Sequence, residues 1–193
     1  MKIFLSIRGK TIKFALLFII CVSPHLGAQN AVFKYRDIYA FYYQQKDSVL
    51  IRKLVKQVDT EITSMEEFFE MVPKSMINIH LTRSQEEFQS FSGDKFPEWA
   101  QAIAFPKRKI IIIRSVSGED FNRLPQVLLH ELSHIFLEMR FPNTKIPTWL
   151  HEGISQKLSN DNLSMDEQVQ IANALYSENL TELNALDSLF GFS

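Results

Sequence analysis

Residues 130–134 read His-Glu-Leu-Ser-His. In a helix, side chains four residues apart lie on one face, about 40° from each other. The imidazoles of His130 and His134 can then reach a single ion at Zn–N distances of roughly 2.0–2.1 Å. Glu131 follows the first imidazole and is turned too far to share its direction, so it is placed to hold a water instead. Zinc lowers the pKa of a water it binds towards ~7, and the carboxylate takes the proton as the oxygen attacks a carbonyl. The pentapeptide therefore fits metal-assisted hydrolysis.

The flanks support a metal over two solvated histidines. Val127, Leu128, Leu129, Leu132, Ile135, Phe136 and Leu137 are apolar. Such a helix is buried nearly all round, and imidazoles inside it need a partner. A catalytic zinc takes three protein ligands and keeps one position open. The third should come from a neighbouring element. Trp149-Leu150-His151-Glu152-Gly153 offers His151 and Glu152, and the 17 residues between His134 and Glu152 suffice to end one helix, turn and return.

HELSH followed by PTWLHEGIS resembles the gluzincin metallopeptidases, and most closely the peptidase MA-like family, whose hallmark is HExxH and then W-L-x-E-G. In that family the Glu of the second motif is the third zinc ligand. The resemblance therefore implies His130, His134 and Glu152 as metal ligands, Zn2+ as cofactor and Glu131 as catalytic base. It also implies a zincin-like α+β fold: a small mixed sheet with an edge hairpin, packed on the HExxH helix, and further helices. The segment from Trp99 to Ile113 resembles the family's edge hairpin, and the likeness extends over about residues 33–190. Two features depart from the pattern. Family members usually continue into further helices that steady the oxyanion, whereas this chain stops at Ser193, as a truncated or a minimal version would. Ser155 and Gln156 stand where a small residue and an aromatic are common.

Other candidates carry less chemistry. Gln156 lies one turn beyond Glu152 and reads as a solvated helix residue, the alternative being a partner of the ligand. His80, in a short strand, reads as a satisfied histidine. His151 is expected to be exposed or to line the cleft. Tyr176 reads as a core or surface tyrosine, with an oxyanion donor as the alternative. Glu138 reads as solvated or paired with Arg140 or Lys145.

These residues need elements to hold them. Residues 33–43 are aromatic and partly alternating, which predicts a strand. Leu50, Leu54, Val58, Ile62, Met65 and Phe69 line one face of a long helix that ends before Pro73. Met76 to Leu81 alternates as a strand, and Ser84 with Glu87 forms a capping box before a short helix. Ala100 to Phe105 and Lys109 to Arg114 read as a hairpin joined by Pro106–Arg108. The β-branched run Ile110 to Ile113 predicts a strand buried on both faces. Leu124 to Arg140 reads as the HExxH helix, with Pro125 in its first turn. Helices from Thr148 to Leu158 and after Ser164 and Glu167 follow. Strands first and helices after give an α+β domain.

The first 28 residues stand apart. Lys2, Arg8, Lys10 and Lys13 precede the apolar run Phe14 to Val22, and small residues follow at Gly27 and Ala28. That is the layout of a signal peptide cleaved near Ala28, with residues 29–193 as one metallopeptidase domain. The run is about half the ~20 residues a spanning helix needs, so no stable membrane insertion is expected after cleavage. Bulky residues before Cys21 speak against a lipoprotein, and cleavage removes this single cysteine. The mature chain keeps 17 basic against 22 acidic residues, a net charge of −5, and shows no basic patch, so nucleic acid is not an expected partner. The sequence thus predicts an exported, periplasmic or extracellular, zinc-dependent hydrolase of peptides or proteins. The alternative is a zinc-binding module without turnover in a larger cell-envelope assembly, against which Glu131 argues, since a structural site needs no base.

Overall fold

The computed structural model describes residues 31–92, 100–114, 122–160 and 165–176. The proposed signal peptide lies outside them. Five strands form one mixed sheet in the order β1-β2-β3-β5-β4. They are β1 (Ala31–Tyr35), β2 (Tyr39–Tyr43), β3 (Ile77–Thr82), β4 (Ala102–Phe105) and β5 (Ile110–Arg114). The helices are α1 (Ser48–Phe68), α2 (Gln85–Ser92), α3 (Leu124–Arg140), α4 (Thr148–Leu158) and α5 (Met165–Tyr176). The zincin-like α+β architecture expected from the sequence is present. Among the described residues, no helix is long and apolar enough to cross a membrane.

The segment 33–43 is not one strand but a hairpin. Arg36 and Asp37 both take positive φ, at 49° and 54°, and Ile38 N–H donates to the Tyr35 carbonyl at 3.3 Å. Two successive left-handed residues give the turn twist that suits an antiparallel ribbon. The Arg36 guanidinium then reaches α1, donating to Asp59 Oδ1 at 2.5 Å, Thr63 Oγ1 at 2.8 Å and Glu66 Oε2 at 3.1 Å.

From β2 the chain crosses through α1 to the parallel strand β3, and β5 lies parallel to β3 on its other side. Alternation in these strands sends Phe41, Ile77, Ile79, Leu81, Ile111 and Ile113 to one face. There they form the main core with Leu54, Val58 and Ile62 of α1 and Leu128, Leu132 and Phe136 of α3. Ile112 faces the other way, under Phe88 of α2. The β-branched run is thus buried on both faces, as predicted. The α2 cap differs by one residue from the expected box: Ser84 Oγ accepts from the Glu87 N–H at 3.1 Å, but the Glu87 carboxylate accepts from the N–H of Arg83.

Two placements matter for the site. β4 is the last strand of the sheet, antiparallel to β5. Arg114 N–H donates to the Gln101 carbonyl at 2.8 Å, so alternation turns the backbone groups of Ile103 and Phe105 to β5 and those of Ala102 and Ala104 to the open edge. Helix α3 lies along this edge and carries one exposed residue, Arg140, at its end. Phe136 on α3 is fully buried against Phe69, with ring centroids 5.6 Å apart. Phe136→Ala is expected to lower the unfolding free energy by about 3–5 kcal/mol, read by denaturant titration, because a rigid two-sided core cannot close over the space left.

Candidate metal centre

Helix α3 presents His130 and His134 on one face, and α4 returns across it after the loop containing Pro142 and Pro147. His130 Nε2 lies 3.2 Å from Glu152 Oε2, and His134 Nε2 lies 3.8 Å from Glu152 Oε1. One donor atom from each of the three residues falls within 4.8 Å of the others, and this is the one such group of three among the described residues. A tetrahedral ion at 2.0–2.1 Å from each donor would hold them roughly 3.3 Å apart. Two imidazoles and a carboxylate are a donor set suited to a divalent metal, and the His130–Glu152 pair already stands at that spacing.

His151 takes a different position. Its Nδ1 lies 2.8 Å from Nδ1 of His134, and the two rings stack at 4.7 Å. It therefore meets His134 on the nitrogen opposite the donor cluster. Of the two third-ligand candidates, Glu152 joins the donor atoms and His151 backs one of them. His151 also lines a cavity of about 660 Å³ with Leu137, Glu138, Phe141, Lys145 and Pro147.

Glu131 stands outside the donor trio. Its carboxylate accepts a hydrogen bond from the Ala104 backbone on the open edge of β4. Part of the residue stays accessible, yet the protein packed round the carboxyl pushes its pKa up to about 7; the Glu152 charge adds to this, while His130 and the Ala104 bond oppose it. Burial pulls His134 down to about 4. Burial also lowers His151. For Glu152, burial acts upwards, but the His130 hydrogen bond and the charges of His134, His130 and His151 outweigh it and hold the carboxyl below its usual range. Within the cluster His134 is thus held neutral and Glu152 ionised, the protonation states a metal requires.

The remaining candidates sit elsewhere. His80 stacks on Tyr42 at 4.4 Å on the sheet face turned away from α3, as a satisfied histidine. Arg140 reaches Glu70 at 4.0 Å and not Glu138. Gln156 is exposed, as a solvated helix residue. Ser164 and the side chains of Glu167 and Tyr176 lie outside what the structure describes. Sequence reasoning missed Ser155. It is fully buried, and its Oγ lies 3.1 Å from His134 Nδ1. The signal was present, since Ser155 is three residues after Glu152 and so shares its helix face.

Residues 59–193 match the family model described as the peptidase MA superfamily, a span of more than half the chain. The chain belongs to the peptidase MA superfamily. The match begins within α1 and takes in both the HELSH and the WLHEG segments. Peptidases of the MA superfamily are typically metal-dependent, in keeping with the His–His–Glu cluster. No curated protein and no solved structure matches the chain.

The opposed shifts of Glu131 and His134 give a pH signature for the metal-free protein. The low folded pKa of His134 favours the fold above the unfolded value of 6.5, and that advantage is lost as pH falls towards about 4. The high folded pKa of Glu131 favours the fold below 4.5, and that advantage is lost as pH rises through about 7. Between these limits the two slopes cancel. Glu131→Gln removes one of them, so stability of the metal-free variant should rise with pH more steeply than that of the wild type, by about 1 kcal/mol per pH unit from pH ~5 to ~6. Parallel denaturation profiles would contradict this pairing.

Proposed function

We propose that the protein is an exported zinc peptidase of gluzincin type, in which His130, His134 and Glu152 hold the metal and Glu131 is the catalytic base. One observation carries the reading. Two imidazoles and a carboxylate are gathered as a metal donor set, while a second carboxyl with a neutral-range pKa stands beside them, tied to an open strand edge.

Each residue then has a task. Zinc, when bound, supplies Lewis-acid polarisation of the scissile carbonyl and acidifies water. A cation near Glu131 favours its ionised form, which accepts a proton. A carboxyl that burial pushes up to about 7 can also return that proton to the departing amine. The hydrogen bond from Ala104 fixes the carboxylate against β4, so proton transfer needs no side-chain search. The edge of β4 offers Ala102 N–H and C=O, together with Ala104 C=O, to an extended peptide. Main-chain pairing of this kind holds substrates with little side-chain selectivity. Ala104 N–H is engaged by Glu131, which leaves Ala102 N–H as the donor for substrate. Export rests on the basic and apolar segments before Ala28.

Glu131→Gln is expected to lower kcat by roughly 10²–10⁴ while the purified protein keeps its zinc, since Glu131 is not a ligand. Metal analysis beside hydrolysis of an unstructured protein checks this, and full activity would sink the mechanism. Ala102→Pro removes the outward donor at a position where an edge strand tolerates proline. It should raise KM by roughly 2–10-fold, the cost of about one backbone hydrogen bond, with zinc content and Tm near wild type. Normal cleavage by this variant would show that substrate is not held on this edge.

A further inference from the structure

The hydroxyl of Ser155 and the two stacked imidazoles share very few protons, and counting them fixes a tautomer. Ser155 is fully buried on α4, where an unbonded hydroxyl would be costly. It donates its one proton to the His151 carbonyl at 3.0 Å, an acceptor only. Toward His134 Nδ1, 3.1 Å away, the oxygen therefore presents a lone pair. While that bond stands, it can accept a proton from that nitrogen but not give one. His151 Nδ1 competes for the same nitrogen at 2.8 Å. Two arrangements are open to the ring pair. Either His134 carries its proton on Nδ1 and His151 presents a bare Nδ1, or His151 donates and His134 is bare there. The second arrangement sets the Ser155 lone pair against a bare nitrogen and puts the His134 proton on Nε2. That nitrogen stands 3.8 Å from Glu152 Oε1, so a proton there would feel the carboxylate's charge but gain no hydrogen bond, whereas a proton on Nδ1 gains one directly.

We infer that Ser155 is a positioning residue that selects the Nδ1-protonated tautomer of His134, leaving its Nε2 bare to face Glu152. This rests on the proposed metal site, because a bare Nε2 is what a ligand imidazole must offer. Oriented histidine ligands generally owe their tautomer to a carboxylate, a backbone carbonyl or water. Here a helix hydroxyl fills that place, with its own proton parked on the carbonyl one turn back.

Long-range ¹H–¹⁵N correlation of the imidazole rings in the metal-free protein reads the tautomer, and competition with a chelator reads zinc affinity. The wild type should show His134 protonated on Nδ1. Ser155→Ala should show a fraction protonated on Nε2 and bind zinc 10–100-fold more weakly. Ser155→Thr keeps the hydroxyl and should restore both readouts. In a His151→Phe background, which lacks the competing donor, Ser155→Ala should cost less affinity than it does in the wild type. The inference is overturned if His134 carries its proton on Nε2 in the wild type. It is also overturned if Ser155→Ala leaves the tautomer unchanged, whatever happens to affinity, since a loss without a tautomer change is a packing effect. Failure of the metal assignment looks different: wild type and His130→Ala would then take up zinc alike, while the tautomer in the metal-free protein still decides the role of Ser155.

Discussion

Helix α3 carries four polar side chains, His130, Glu131, Ser133 and His134, into surroundings that are otherwise apolar. Each must find a partner there, because an unmet polar group in such a place costs on the order of 1–3 kcal/mol. The neighbouring elements are arranged around that need. Glu152 on α4 meets the two Nε2 atoms, Ala104 on β4 meets Glu131, Ser155 meets the far nitrogen of His134, and Ser133 bonds back to the His130 carbonyl at 2.8 Å. The same demand sets the sheet edge, the return of α4 and the protonation states of the cluster. Core packing through Leu128, Leu132 and Phe136 supplies the rigidity that keeps these partners at fixed distances.

The arrangement separates two carboxylates by environment. Glu152 lies among imidazoles and stays ionised, while Glu131 lies against protein backbone and is pushed towards neutrality. Chemically alike groups thus acquire different tasks from their neighbours alone. The open edge of β4 is part of this scheme, since one residue of that strand both steadies the carboxyl and borders the space where an extended chain would lie.

Much of this was legible in the sequence. The ends of α4 fell at Thr148 and Leu158 as the Pro147 signal suggested, and the Pro106–Arg108 turn joined β4 to β5 as expected. The hairpin at residues 31–43 was not legible. Its turn residues, Arg36 and Asp37, lack the glycine or asparagine that usually marks two left-handed positions, and both flanking strands are aromatic up to the turn, at Tyr35 and Tyr39. Strand order was also hidden, because it depends on crossovers that periodicity does not encode. Of His151 and Glu152, adjacent residues turn about 100° apart on a helix, so only the docking of α4 on α3 brings one to the Nε2 side and the other behind His134. Ser155 escaped because a small buried hydroxyl matches no ligand pattern; only its spacing from Glu152 gives it away.

In the proposed metal centre His130, His134 and Glu152 hold the ion and His151 plays no direct part. Zinc affinity of the wild type, Glu152→Ala and His151→Ala, measured by competition with a chelator, tests it most directly. One zinc per chain is expected, with a loss of affinity in Glu152→Ala far exceeding that in His151→Ala and a similar fold in all three. The reverse ranking would make His151 the third ligand, and equal binding by all three would leave the cluster without a metal role.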